Sequence, residues 1–194
     1  MKKIISVLTA SILCVGLISG CSSSDNSQLE KVRLNEVVHS VFYAPQYVAL
    51  ENGYFEEEGL EIELSVGQGA DKSMTALLSD SADIALLGTE AGLYIINEGK
   101  EGHVKTFAQL TQRAGNFLVS RNEEPDFKWT DLKGKSVIGG RKGGMPELVL
   151  EYVLKENGLD IEKDVEIINN ISFESTAGAF AADVGDYTVE FEPT

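Results

Sequence analysis

Apolar and polar residues alternate along this chain with two different periods, and each change of period marks a new element. The run "LNEVVHSV" (34–41) has the two-residue alternation of a strand with one face on a core. "APQYVALENG" switches to helical spacing, with Pro45 suited to a first turn and Gly53 to a stop. "LEIELSV" is a second strand that runs into "GQGAD", and "DKSMTALLSDS" puts Met74, Leu77 and Leu78 on one helical face. "ADIALLG" predicts a short buried strand, and "TEAGLYIINEG" a helix with Thr89 as its N-cap. "HVKTFAQLTQ" and "NFLVS" read as two further strands. After a polar stretch at 121–135 the alternation resumes. It gives a "SVIGG" strand, a helix over "PELVLEYVLKENG", a "DVEIIN" strand, an alanine-rich helix near 174–182 and a "DYTVEFE" strand.

Strands alternating with helices at this spacing predict an α/β fold with largely parallel sheets. One pattern occurs twice: strand, glycine-rich loop, helix at 60–78 and again at 135–154. The echo predicts two similar lobes facing each other, 34–113 and 114–194.

The first residues follow a different rule. "MKK" and the uncharged "IISVLTASILCVGLISG" have the layout of a secretory signal over 1–20. The run is shorter than the roughly 20 residues that span a bilayer. "ISGC" at its end resembles the lipobox of bacterial lipoproteins, which makes Cys21 the acylated N-terminus of the mature chain. Cleavage also removes Cys14, so no disulfide or thiol chemistry is expected. The polar 21–33 reads as a flexible tether.

Charge narrows the functions further. With 31 acidic and 16 basic residues among 194, the net charge is −15, which argues against a nucleic-acid partner. His39 and His103 are the only histidines, lack metal-ligand spacing and read as ordinary strand residues. No nucleophile elbow is present, "EEEG" at 56–59 reads as a solvated turn, and no cofactor is expected.

"GGRKGGMPE" (139–147) is the stretch richest in candidate chemistry. It is not a phosphate-binding P-loop, because Gly144 is followed by Met145 and Pro146 where lysine and a hydroxyl are needed. It is either a plain turn before a helix or a nest of backbone N–H groups facing a ligand. The aromatic run "FYAPQY" places Phe42 and Tyr43 at a strand end, where open α/β sheets bind ligands, while Tyr47 reads as packing.

At four places in order the chain resembles the substrate-binding proteins of ABC importers, in the branch that takes nitrate, sulfonates, taurine and thiamine-precursor pyrimidines. The matching stretches are "VFYAPQYVALENGYFEEEGLEIEL", "GADKSMTALLSDSADIALLG", "WTDLKGKSVIGGRKGG" and "FEPT". The resemblance implies a two-lobed, periplasmic-binding-protein-like fold of type II that closes over a small molecule. It implies a monomer without catalysis, held at the extracytoplasmic face of the cell membrane through Cys21 and serving a permease. Gly140, Arg141, Gly143 and Gly144 would favour an anionic group of the ligand. Glu90 and Glu192, on expected cleft loops, would favour an amine. Phe42, Tyr43, Gln46, Gln68, Thr89 and Gln109 complete the expected lining. Together they point to a heterocyclic amine such as a thiamine-precursor pyrimidine ahead of nitrate, sulfonate or taurine. Proteins of this kind are longer, so both lobes are expected to be incomplete, as in a C-terminally truncated chain. The alternatives are a pyrimidine-synthesising enzyme of the same fold family and a surface lipoprotein that binds nothing.

Overall fold

The computed structural model describes residues 28–99, 104–113 and 115–194; the expected signal peptide, Cys21 and His103 lie outside the described residues. Strand β1 spans Glu30–Glu36, so 30–33 belong to a sheet and not to a tether. The reason is its partner: β2 (Leu60–Val66) pairs with it in parallel along its whole length, from Glu30 opposite Leu60 to Glu36 opposite Val66. "VHSV" leaves the sheet because Ser40 caps a turn of 3₁₀ helix over Val41–Tyr43, its Oγ accepting from the Phe42 N–H at 3.3 Å.

Helix α1 (Ala44–Glu51) starts with Pro45 in its first turn, and one-turn helix α2 (Tyr54–Glu57) covers the expected acidic turn. Gly53 joins them at φ +74°, a conformation that favours glycine. Helix α3 (Ala70–Leu78), β3 (Ile84–Leu86) and α4 (Glu90–Asn97) follow. The first sheet has the order β2-β1-β3 and is wholly parallel.

Two expectations fail here. Residues 104–113 form no strand; Phe107 is 74% exposed, and the segment pairs with neither sheet. Alternation alone does not make a strand; without a strand alongside it the segment has no ladder to join. Thr89 holds the N-cap position of α4 but has helical dihedrals (φ −65°, ψ −21°) and makes no capping bond, because a cap needs extended backbone to turn its hydroxyl onto the helix.

The second sheet comprises β4 (Asn116–Ser120), β5 (Lys135–Ile138), β6 (Val165–Ile168) and β7 (Tyr187–Phe191) in the order β4-β7-β5-β6. β4 is antiparallel to β7 and the other pairs are parallel. Helices α5 (Met145–Glu156) and α6 (Thr176–Ala181) belong to this lobe. Its core gathers Leu132, Val137, Leu150, Leu154 and Val189, with Phe127 and Trp129 packed against them. The polar stretch 121–135 therefore hides core residues, and Leu132 is fully buried. The smaller core of the first lobe is built on Val37, Ala70, Met74, Ala91 and Ile95, and Phe173 of the second lobe packs against it.

Candidate functional site

All three strands of the first sheet are parallel, so their carboxyl ends (Glu36, Val66, Leu86) lie on one side. β5 and β7 are likewise parallel, ending at Ile138 and Phe191. The loops after these ends converge on a cavity of about 630 Å³. Segments 37–44 and 86–88 form one wall; Gly144–Pro146 and 189–194 form the other. This is where open α/β sheets bind their ligands.

Three aromatic rings from both lobes meet there. Phe42 of the first lobe stands edge-on to Phe191 of the second (centroids 6.2 Å apart, planes at 73°). Phe191 meets Phe173 in the same way (6.1 Å, 74°). Edge-to-face pairs of this kind are favourable beyond their area. They give the cavity apolar surface suited to a flat ring.

Behind the first wall lies a carboxylate with no exposure at all, Glu36 at the end of β1. Its Oε2 accepts from Gln46 Nε2 (2.9 Å) and from the Tyr47 hydroxyl (2.8 Å), and its Oε1 lies 2.9 Å from His39 Nδ1. A carboxylate only accepts, so Nδ1 carries the hydrogen. His39 also lies against the Tyr47 ring at 4.4 Å, and both line the cavity. His39 is thus part of the site and not an ordinary strand residue. Tyr47 packs as expected and also forms cavity wall.

Burial pushes the Tyr43 hydroxyl up to about 12, with the charge of Glu36 adding to it. Burial does the same to Tyr47, helped by its bond to Glu36, and to Tyr187, helped by its bond to Glu124; both reach about 12. Unfolded tyrosine titrates at about 10. The folded values are raised, so the stability they carry is complete below about pH 10 and is lost as pH rises toward 12. The urea midpoint should therefore hold to about pH 10 and fall between about 10 and 12. A midpoint level to pH 12 would show that these hydroxyls are not held neutral by the fold.

The expected acids sit at the cavity. Glu90 and Glu192 line it, and Glu90 folds back over Gly88. A Cβ at Gly88 would fall 2.0 Å from Glu90 Oε1, so the missing side chain makes room for the carboxylate.

The glycine-rich loop behaves differently from an anion nest. Several of its N–H groups are already engaged: Gly139 with the Ile168 carbonyl (3.0 Å), Lys142 with that of Asn169 (3.2 Å), and Gly144 with that of Arg141 (3.0 Å). Gly143 N–H donates to Glu147 Oε2, and Asn169 Nδ2 donates to Glu147 Oε1 at 2.6 Å. Glu147, only 4% exposed in the first turn of α5, is the anion this helix start holds. Arg141 is occupied too, by the Asp71 carboxylate across the cleft and by the Asn170 carbonyl (3.0 Å). The loop's arginine and the N–H of Gly143 are therefore already engaged within the protein. A glycine on the facing loop allows the close approach: a Cβ at Gly69 would lie 2.9 Å from the Arg141 side chain, while Gly143 is held at φ +74° beside the Tyr94 ring. The two copies of the strand–glycine–helix echo thus face each other along one seam.

That seam carries an acid signature. Burial raises the Asp71 pKa, but the hydrogen bond and charge of Arg141 outweigh it and leave the group below 3.8. Its folded value is depressed, so this contribution is present above the unfolded value and lost as pH falls through the folded one. The Asp71→Asn variant should lose that part of the acid dependence below about pH 4, read as urea midpoints against pH. Identical acid profiles for variant and wild type would refute it.

Of the residues singled out from sequence, Phe42, Tyr43, Glu90, Gly144 and Glu192 line the cavity. Gln46 stands behind the wall on Glu36, and Gln68, at φ +59°, reaches across the seam to Glu174 at 2.8 Å. Gln109 turns to the Thr111 carbonyl (2.9 Å), and Thr89 stays outside the lining. Gly140 (φ +94°) packs beneath Pro146, and Arg141 and Gly143 lie in the seam. Sequence reasoning missed Glu36, His39, Phe173 and Phe191. The rule that selected Phe42, an aromatic beyond a strand end, also points to Phe191.

Two α/β lobes with a cavity at the carboxyl ends of their strands define a periplasmic-binding-protein-like fold. The same fold occurs in the alkanesulfonate-binding protein SsuA of Xanthomonas axonopodis pv. citri, solved with MOPS bound. That structure matches with a TM-score of 0.59 at 20% identity, over 86% of this chain and 56% of that one. The chain belongs to the NMT1/THI5 like family, whose model matches residues 41–192. It is 46% identical over 183 residues to YtlA of Bacillus subtilis strain 168, described as a candidate binding protein. That match covers 94% of this chain and 54% of YtlA. The riboflavin-binding protein RibY of Chloroflexus aurantiacus is 28% identical, over 88% of this chain and 53% of RibY. The chain spans about half the length of these relatives.

Proposed function

We propose that this chain is a solute-binding component of an ABC importer, which captures a small heterocyclic amine between its lobes and presents it to a membrane permease. The observation that carries the reading is the cavity itself. Rings from both lobes close on it, with Glu90 and Glu192 at its walls as acceptors for ring or amine N–H groups. A thiamine-precursor pyrimidine fits this chemistry better than nitrate, sulfonate or taurine, because Arg141 and the Gly143 N–H, expected to hold an anion, are engaged within the protein. The protein binds as a monomer and performs no reaction. A flavin ring is the second ligand reading, favoured by the likeness to RibY.

Calorimetry and thermal unfolding with 4-amino-5-hydroxymethyl-2-methylpyrimidine, riboflavin, nitrate and taurine test the reading. A ligand at 100 times its Kd should stabilise the protein by about 2.7 kcal/mol. Selective stabilisation by the pyrimidine is the expected result, and selective binding of nitrate or taurine would replace it.

The site of action follows from the sequence: the extracytoplasmic face of the cell membrane, through acylated Cys21. Among the described residues no helix is long and apolar enough to cross a membrane. A Cys21→Ala variant should leave the membrane fraction, since acyl chains contribute about 0.8 kcal/mol per buried CH₂ and nothing else is proposed to anchor it. A variant that stays with the membranes would rule out the lipid anchor.

A further inference from the structure

We infer that Glu190, clamped by Thr176 and Thr188, is a specificity-determining residue of the cavity, selecting ligands with N–H donors or positive charge and rejecting sulfonates, phosphonates and other anions. The inference rests on the cavity being the ligand site, as proposed above. It adds a residue and a rule of discrimination that Glu90 and Glu192 do not supply.

Glu190 sits near the end of β7 and lines the cavity beside Phe191. Two hydroxyls hold its carboxylate from behind. Thr188, two residues back on the same face of the strand, donates to Oε1 at 2.7 Å. Thr176, at the start of α6, places Oγ1 3.0 Å from Oε2 and shares its hydrogen with the Phe173 carbonyl (2.9 Å). Both threonines are buried, at 1% and 2% exposure, so they have no competing partner in water. Each carboxylate oxygen keeps a lone pair beyond these bonds.

Among the described residues no lysine or arginine pairs with Glu190. Arg113 is the one lysine or arginine among the described residues lining the cavity, and it is exposed. A fixed carboxylate beside aromatic rings, without a counter-ion, attracts a cation or N–H donor and repels an anion. For an anion to enter, the fold would have to desolvate that carboxylate, with the exposed Arg113 as the one lysine or arginine of the described lining to set against it. Glu90 and Glu192 have no such clamp, which makes Glu190 the acceptor whose position is set before the ligand arrives.

The test compares wild type with Glu190→Gln, which keeps the shape and removes the charge. Calorimetry uses three probes: 4-amino-5-hydroxymethyl-2-methylpyrimidine, benzamidinium and methanesulfonate. The expected result is a loss of tenfold or more for the first two, with methanesulfonate unchanged or gained. Thr188→Val should shift the preference in the same direction and Thr188→Ser should restore it, which a purely structural role would not produce. Equal loss for all three probes overturns the inference and leaves the proposed function standing. Benzamidinium bound in a Glu190-dependent way without the pyrimidine supports the inference and overturns the ligand reading. Wild type that prefers methanesulfonate, or takes no probe, overturns both.

Discussion

Replacing Glu36 with leucine is expected to lower the stability of the protein by about 3–5 kcal/mol and to weaken ligand binding with it. The carboxylate is fully buried and serves Gln46, Tyr47 and His39 together. Hydrogen bonds to a charged group contribute about 1.5–3 kcal/mol each, and a donor orphaned in the interior costs about 1–3 kcal/mol. Leucine returns some apolar burial but leaves the Gln46 amide without its acceptor, and Gln46 is itself only 8% exposed. Tyr47 and His39 would lose their anchor and, with it, the orientation of the cavity wall. The urea midpoint should fall with an unchanged slope. Glu36→Gln, which keeps one acceptor oxygen, should fall between. A loss below about 1 kcal/mol for the leucine variant would mean that water replaces the carboxylate and the site is wetter than its burial indicates.

The second large effect belongs to the other lobe. Leu154 on α5 is fully buried among Leu132, Val137 and Leu150. Leu154→Ala removes buried methyl groups and leaves a cavity, at a cost of about 2–5 kcal/mol. Tyr152 on the same helix is 62% exposed and serves as control: Tyr152→Ala should stay within about 0.5 kcal/mol. Alanine is the better helix former in both variants, by only tenths of a kcal/mol and more so at Tyr152, so a difference of about 2 kcal/mol or more between them reports packing. Chemical denaturation of the two, measured side by side, decides it. Similar losses would place the core elsewhere than around α5.

The elements legible in the sequence were those whose pattern and partners agree. β2 matches its predicted run because "LEIELSV" alternates and lies beside β1 throughout. α1 and α5 were legible through proline in the first turn and apolar spacing after it. The segment 104–113 was misread because alternation alone does not say whether a partner strand lies alongside. Charged residues concealed most of the site. Glu36 ends a strand like any solvated acid, and only three-dimensional pairing with Gln46 and Tyr47 reveals a buried hub. Arg141 and the glycines looked like anion chemistry because Asp71 lies 70 residues away in sequence. Glu147, four residues beyond Gly143, was visible as a helix-start acid, yet its role as resident anion needed the geometry.

Strand β7 follows β5 and β6 in the chain but lies between β4 and β5 in the sheet, with Asn116 opposite Phe191. As the chain folds from its N-terminus, the first sheet can therefore pair with residues up to β3 alone. β4 must wait without its neighbour until 187–191 arrive. Pairings that close long loops are slow, and a strand kept waiting is open to the wrong partner. The molecule thus acquires its two halves in sequence. The residues that seal the second sheet, Val189 to Phe191, are the same ones that finish the cavity wall, so a nascent chain has nothing to offer a ligand until that last seam closes.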